Sequence, residues 1–297
     1  MEQSPTIGLV LSGGGSKGAY QAGVYKAMEE KGLLPRIRAV AGTSIGSFNA
    51  LLFTCGTIAP YLLWEQTNFS TLLTYAKPNS PLITLAAQFK DKLFHPSDLA
   101  QAIAPQSVEG NEARGFLTLL NQKGLGRPML ELYKSIILQN TNADLLPNLG
   151  YPVYVCAYDI EAHCPVYFDL TKQPKELVPE IILASSAVPH VLPPVEIDGL
   201  LYADGGVNDP LYPVANASNC PAAALSTVEV DQLIIIHLHE KEPADLSFFG
   251  DKPILHIYPS QPLERAPGSG SFDMTQHTIT KRLALGYQDG VQALKNF

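Results

Sequence analysis

Gly42-Thr43-Ser44-Ile45-Gly46 reads G-x-S-x-G and stands between two runs of different character. Ala39-Val40-Ala41 before it is short and apolar, as a buried strand is, and Ser47-Phe48-Asn49-Ala50-Leu51-Leu52 after it suits a helix. A strand, a sharp turn and a helix with serine at the apex project the serine hydroxyl out of a sheet. Gly42 and Gly46 have no Cβ, so strand and helix can pass close to the turn. An ordinary tight turn fits the same five residues, and the surrounding elements must decide between the two readings.

Upstream, Ile7 to Leu11 (IGLVL) is a continuous apolar run suited to a strand buried on both faces. The glycine turn Gly13-Gly14-Gly15-Ser16-Lys17-Gly18 follows, then a helix over Ala19 to Lys31 that Gly32 stops. A second strand, Arg38 to Ala41, leads into the serine turn. This β-α-β-α opening predicts an α/β fold, a parallel sheet with helices on its faces.

Residues 68–148 are mostly helical in pattern, with helix starts at Pro96-Ser97-Asp98 and Pro128-Met129-Leu130-Glu131. They read as a helical insertion packed over the sheet, its apolar residues serving as core. Strands resume at Val153 to Tyr158 and Cys164 to Asp169, and Glu176 to Ser185 is helix-compatible. Asp198-Gly199 between Val195-Glu196-Ile197 and Leu200-Leu201-Tyr202 is a two-residue hairpin signal. Gln232 to His237 and Pro253 to Tyr258 are further strands. Ser260 to Ser271, rich in Pro, Gly and Ser, reads as a mobile loop, and Thr275 to Leu294 as a closing helix. With no internal repeat and no linker, residues 1–297 are read as one domain.

The net charge of −8, without a Lys/Arg cluster, argues against a nucleic-acid partner and against simple electrostatic docking on anionic lipid. Met1 to Thr6 carries neither a basic stretch nor a long apolar run, and no apolar run reaches about 18 residues. Ile45 to Trp64 comes closest, broken by Asn49, Gly56 and Pro60. A cytoplasmic protein, peripheral to a membrane at most, is the expectation. Cys55, Cys156, Cys164 and Cys220 are widely spaced, fit no zinc pattern and read as reduced, mostly buried thiols.

The glycine turn has three chemical readings. G-x-G-x-x-G can bind a dinucleotide, but the second strand then needs an acidic residue at its end, where Gly42-Thr43-Ser44 stands. A phosphate-binding P-loop needs Gly-Lys-Ser/Thr, which is missing. An oxyanion hole needs only backbone N–H groups at a helix N-terminus, and these are present. A base for the serine has many candidates. Of the seven histidines, His237, His239, His256 and His277 stand in the order of a serine–aspartate–histidine triad, and none has a recognisable catalytic context. Asp204-Gly205-Gly206, directly after the hairpin, offers a carboxylate at a strand end, where sites on α/β scaffolds are built. A plain Asp-Gly turn explains those residues equally well.

GGGSKG at 13–18, GTSIG at 42–46 and DGG at 204–206, in this order, resemble the patatin-like phospholipase pattern G-G-G-x-[RK]-G, G-x-S-x-G, D-G-[GA]. Ala184 to Gly206 also resembles that family's approach to its aspartate, with His190 taken as structural. The resemblance implies a three-layer α/β/α sandwich around a central, mostly parallel sheet. It implies a serine–aspartate dyad without histidine: Ser44 as nucleophile, Asp204 as general base, and the amides of Gly13, Gly14 and Gly15 as oxyanion hole. Lys17, Gly18, Gly42, Gly46, Gly205 and Gly206 would support the motifs. The implied substrates are acyl lipids at a membrane or micelle surface, cleaved through an acyl-enzyme without cofactor or metal. Two alternatives stand beside hydrolysis: an acyltransferase using the same acyl-enzyme, and a nucleotide- or lipid-binding module without turnover.

Overall fold

Strand β1 (Ile7–Leu11) lies at the middle of an eight-stranded sheet and is buried along its whole length, as its unbroken apolar run requires. A computed structural model describes residues 4–83, 124–189, 191–206, 218–240, 244–264, 270–271, 273–295 and 297. On one side β1 pairs in parallel with β2 (Ile37–Thr43), which pairs in parallel with β3 (Val153–Asp159). On the other side it pairs in parallel with β7 (Gln232–Ile236), and β7 with β8 (Ile254–Ile257). The antiparallel part is β4 (Cys164–Asp169), β5 (Val195–Ile197) and β6 (Leu200–Asp204). Asp198 and Gly199, both at positive φ, make the tight turn between β5 and β6.

One face of the sheet carries the larger core. It packs against α1 (Gly18–Glu30), α2 (Ile45–Cys55), α3 (Pro60–Gln66), α5 (Gly126–Asn140), α6 (Val178–Ser185) and α7 (Gln276–Ala293), with α4 (Phe69–Leu73) beside α5. Alternation along the strands sends Ile7, Leu9 and Leu11 to this face and Val10 to the other. The second face is covered more thinly, by two 3-10 turns, Ala222–Leu225 and Ser247–Phe249, among the described residues. The result is the expected central, mostly parallel sheet flanked by helices. Of residues 68–148, 84–123 lie outside the described residues, as does the helix start expected at Pro96; the described flanks are helical. The second expected start falls two residues early, at Gly126. Pro128 then occupies the first turn, where its missing N–H would have no helical partner anyway.

The pairing of β3 sets the site. Along one edge β3 carries β4, from Tyr154 to Asp159. The other edge is divided: β2 occupies it up to the Thr43–Cys156 pair, and β6, running the opposite way, occupies it from the Asp204–Ala157 pair onward. The C-terminal ends of β2 and β6 therefore meet head-on at adjacent positions of β3. The residue after Thr43 is Ser44, and the last residue of β6 is Asp204.

Candidate active site

Ser44 links β2 to α2 with φ 54° and ψ −125°, a backbone conformation that glycine takes elsewhere in the chain, at Gly250 (φ 54°, ψ −128°). Such a conformation costs a non-glycine residue about 1–3 kcal/mol and persists only where its surroundings fix it. Those surroundings are specific. The Ser44 N–H donates to Ser185 Oγ at 2.9 Å, and the Ser44 carbonyl accepts Ser47 Oγ at 2.6 Å. A Cβ on Gly42 would lie 2.1 Å from the Gly46 carbonyl oxygen, and one on Gly46 2.3 Å from the Leu11 carbonyl oxygen. Only glycine allows strand and helix this close. Gly46→Ala is expected to destabilise the fold by about 1–3 kcal/mol, the usual range for overpacking, measured by chemical denaturation.

Asp204 is 4 % exposed; its carboxylate accepts the Gly206 N–H at 2.8 Å, and the Ser44 hydroxyl lies beside it, close enough to favour its ionised form. Burial pushes its pKa up to about 6, with the neighbouring Ser44 hydroxyl and the Gly206 N–H pulling the other way. Residues of the second and third sequence motifs, far apart along the chain, are thus brought side by side. The histidines are placed elsewhere. His237 and His256 contact each other at 2.9 Å and stack with Tyr258. His239 lies on Lys17 Nζ, and His163 beside the Tyr158 hydroxyl. Among the described residues no histidine reaches Ser44 or Asp204; His95 and His190 lie outside them.

The glycine turn lies against the serine: a Cβ on Gly13 would come within 3.1 Å of Ser44 Cβ. The Gly13 N–H is engaged with the Asn219 carbonyl at 3.0 Å, so Gly14 and Gly15 are the turn amides with no partner among the described residues. The expected three-amide set narrows to two. Gly15 has φ 58°, and Gly18 opens α1. The Ser16 N–H, one of the donors a dinucleotide would need, is taken by the Ser271 carbonyl at 2.8 Å. Gly205 continues the turn after Asp204, with the Cys156 carbonyl against its open side.

Several of the residues that hold this arrangement carry no motif. Arg282 on α7 is buried and donates to Ser16 Oγ at 2.8 Å and to the carbonyls of Leu263, Gly270 and Asp273. Burial lowers its pKa to about 10, which leaves it charged at neutral pH. Lys17, also buried, pairs with Glu264 at 3.3 Å, and Glu264 accepts the Gly270 N–H. The stretch read as a mobile loop therefore supplies, in its described residues, fixed partners for the glycine turn; residues 265–269 lie outside the description. Gln21 donates to the Ser12 carbonyl at 2.8 Å and accepts from Asn49, which in turn accepts Trp64 Nε1–H at 2.9 Å. This buried chain ties the glycine turn, α2 and α3 together. Asn49, read from the sequence as an interruption of an apolar run, is its centre.

A cavity of about 430 Å³ opens onto Ser44. Its walls are mostly apolar: Ile45 and Phe48 from α2, Leu63 and Trp64 from α3, Leu72 from α4, Met129, Leu132 and Ile136 from α5, and Val188, Val191 and Leu192 after α6. Part of the apolar content assigned to core in residues 68–148 lines this space instead.

The chain is similar to known proteins to different extents. An uncharacterized NTE family protein of Mycobacterium tuberculosis is 25 % identical over 240 residues, covering 80 % of this chain and 51 % of the relative. The chain thus spans about half the length of that relative. The uncharacterized protein YjjU of Escherichia coli is 25 % identical, covering 88 % of this chain and 70 % of its own. Lysophospholipase nte1 of Aspergillus terreus is 52 % identical over 48 residues, 16 % of this chain and 3 % of the fungal one. Among solved structures, VipD from Legionella pneumophila aligns with 98 % of this chain and 67 % of its own, at 14 % identity and a TM-score of 0.48. One family model, described as patatin-like phospholipase, matches residues 9–217, more than two thirds of the chain and a span running from β1 through both Ser44 and Asp204: the chain belongs to the patatin-like phospholipase family.

Proposed function

We propose that this chain is a serine acyl hydrolase that cleaves the carboxylic ester bonds of phospholipids or related acyl lipids. The observation that carries the reading is the Ser44 hydroxyl set beside the buried Asp204 carboxylate on the wall of a mostly apolar cavity. Ser44 Oγ attacks the ester carbonyl as its proton passes to Asp204. The tetrahedral oxyanion is met by the Gly14 and Gly15 amides. The bond to the leaving oxygen then breaks, and that oxygen takes the proton from Asp204. Water attacks the acyl-enzyme, giving a proton to Asp204, and Ser44 Oγ recovers its proton as the acid departs.

A carboxylate is a weaker base than imidazole, so the oxyanion donors carry more of the stabilisation. One such donor is worth about 2.7–4 kcal/mol in a protease test case. The start of α2 directly after Ser44 adds a favourable dipole for developing negative charge. A single acyl chain matches the apolar walls, and the family and the lysophospholipase relative support a lipid ester as substrate. Among the described residues no helix is long and apolar enough to cross a membrane, and the lipid would be met at a membrane or micelle surface.

A fluorophosphonate probe is expected to label the wild-type protein once, with the adduct mass on the peptide bearing Ser44. A panel of lysophospholipids, phospholipids and acylglycerols, assayed against Ser44→Ala, identifies the preferred lipid. An adduct on another residue, with Ser44 unmodified, would overturn the assignment.

A further inference from the structure

The segment Ser185-Ser186-Ala187 touches both members of the dyad. Ser185 Oγ accepts the Ser44 N–H at 2.9 Å and donates to the Cys156 carbonyl at 2.6 Å. The Ala187 carbonyl accepts the Asp204 N–H at 3.0 Å. Ser186 stands between them, 8 % exposed, and lines the cavity that Ser44 opens onto. Its Oγ is buried and makes no hydrogen bond among the described residues.

Tyr133, on α5, lines the same cavity, with its ring set edge-on against Phe48 at a centroid distance of 5.7 Å. Its hydroxyl is also buried without a hydrogen bond. The two hydroxyls form no hydrogen bond with each other: burial is the main influence pushing the Tyr133 hydroxyl's pKa up, Ser186 pulls the other way, and the charge on Asp204 adds to the rise. A buried hydroxyl left without a partner is costly. Two of them among the residues lining the cavity that opens onto Ser44, which is otherwise mostly apolar, call for a polar atom of a ligand.

We propose that Tyr133 and Ser186 form the subsite for the hydroxyl oxygen that exchanges its proton with Asp204. In acylation this is the oxygen of the leaving alcohol; in deacylation it is the oxygen of the attacking water. The inference rests on Ser44 and Asp204 acting as the dyad. As the acyl carbon–oxygen bond breaks, that oxygen keeps the bonding electron pair, and Tyr133 donates a hydrogen bond to it until the Asp204 proton arrives. In the second half-reaction water gives one proton to Asp204 while its other hydrogen is held by Ser186 Oγ. Its oxygen then bonds the acyl carbon, and the Ser44 Oγ–carbon bond breaks as Oγ takes that proton back from Asp204.

The test compares an alkyl ester, whose leaving oxygen must be protonated, with a p-nitrophenyl ester of the same acid, whose phenolate leaves unaided. In Tyr133→Phe and Ser186→Ala the alkyl-to-aryl ratio of kcat/KM is expected to fall about tenfold, the scale of one lost hydrogen bond to a charged group. Single-turnover decay of the acyl-enzyme, which reads the water, is expected to slow by a similar factor. Ser186→Thr, which keeps a hydroxyl, should recover part of both. A loss equal on the two esters, or a ratio and decay rate both at the wild-type level, would overturn the proposal. Fluorophosphonate labelling separates this from failure of the dyad. Absence of an adduct on Ser44 in the wild type overturns the nucleophile itself. Labelling of Ser44 in wild type and variants, with ratio and decay unmoved, overturns only the subsite.

Discussion

Ser44→Ala and Asp204→Asn are each expected to lower kcat/KM for a soluble ester by a factor on the order of 10⁴ or more, with the fold intact. The geometry makes the two losses one event. Asp204 has little to deprotonate once the hydroxyl is gone, and Ser44 has no other base among the described residues. The double variant should therefore be little worse than either single variant, rather than showing the product of their effects. Circular dichroism and a thermal melt establish that the variants fold. Retention of most activity in Asp204→Ala would sink the dyad and return attention to the histidines, beginning with those outside the described residues.

The second large effect concerns pH. Asp204 is held at a pKa of about 6 in the folded chain, against 3.8 for an ordinary aspartate. The base must be ionised to accept the serine proton, so kcat/KM is expected to rise with pH through about 6 and then level off. Stability runs the opposite way. Below about pH 4 the carboxyl is protonated both folded and unfolded and contributes nothing. Between about 4 and 6 the unfolded chain releases the proton while the folded chain keeps it, and stability falls. Above about 6 the full penalty is present, about 3 kcal/mol from a shift of this size. Asp204→Asn should be inactive yet more stable than wild type at pH 8, with the gain fading towards pH 4. Urea denaturation at both pH values measures it. An Asn variant less stable than wild type at pH 8 would show that the weakened contacts with Gly206 and Ser44 outweigh the relieved desolvation.

The features that were legible in the sequence are those written in neighbouring residues. The Asp198-Gly199 turn, the apolar run of β1 and the glycines around Ser44 each encode their geometry locally. Asp204 was legible as a strand-end carboxylate, while its pairing with Ser44 came through the resemblance. What the sequence concealed depends on distant partners. Arg282 bonds to Ser16 from the far end of the chain, and no local pattern marks it. Ser185 and Ala187 look like the end of an apolar helix, yet one holds the Ser44 backbone and the other the Asp204 backbone. Asn49 does interrupt an apolar run, as read, but its place at the centre of a buried hydrogen-bonded chain was hidden because Gln21 and Trp64 meet it only in the fold. The engagement of the Gly13 amide was equally hidden, since Asn219 lies in a different part of the chain.

The shared edge of β3 turns that strand into a ruler for the reaction. The gap between nucleophile and base is set by the single step from Cys156 to Ala157. An extra residue there would move the two strand ends apart by about 3.3 Å and turn the following side chains to the opposite face. Loops elsewhere in this fold can lengthen at little cost, whereas the middle of β3 should tolerate substitution but neither insertion nor deletion.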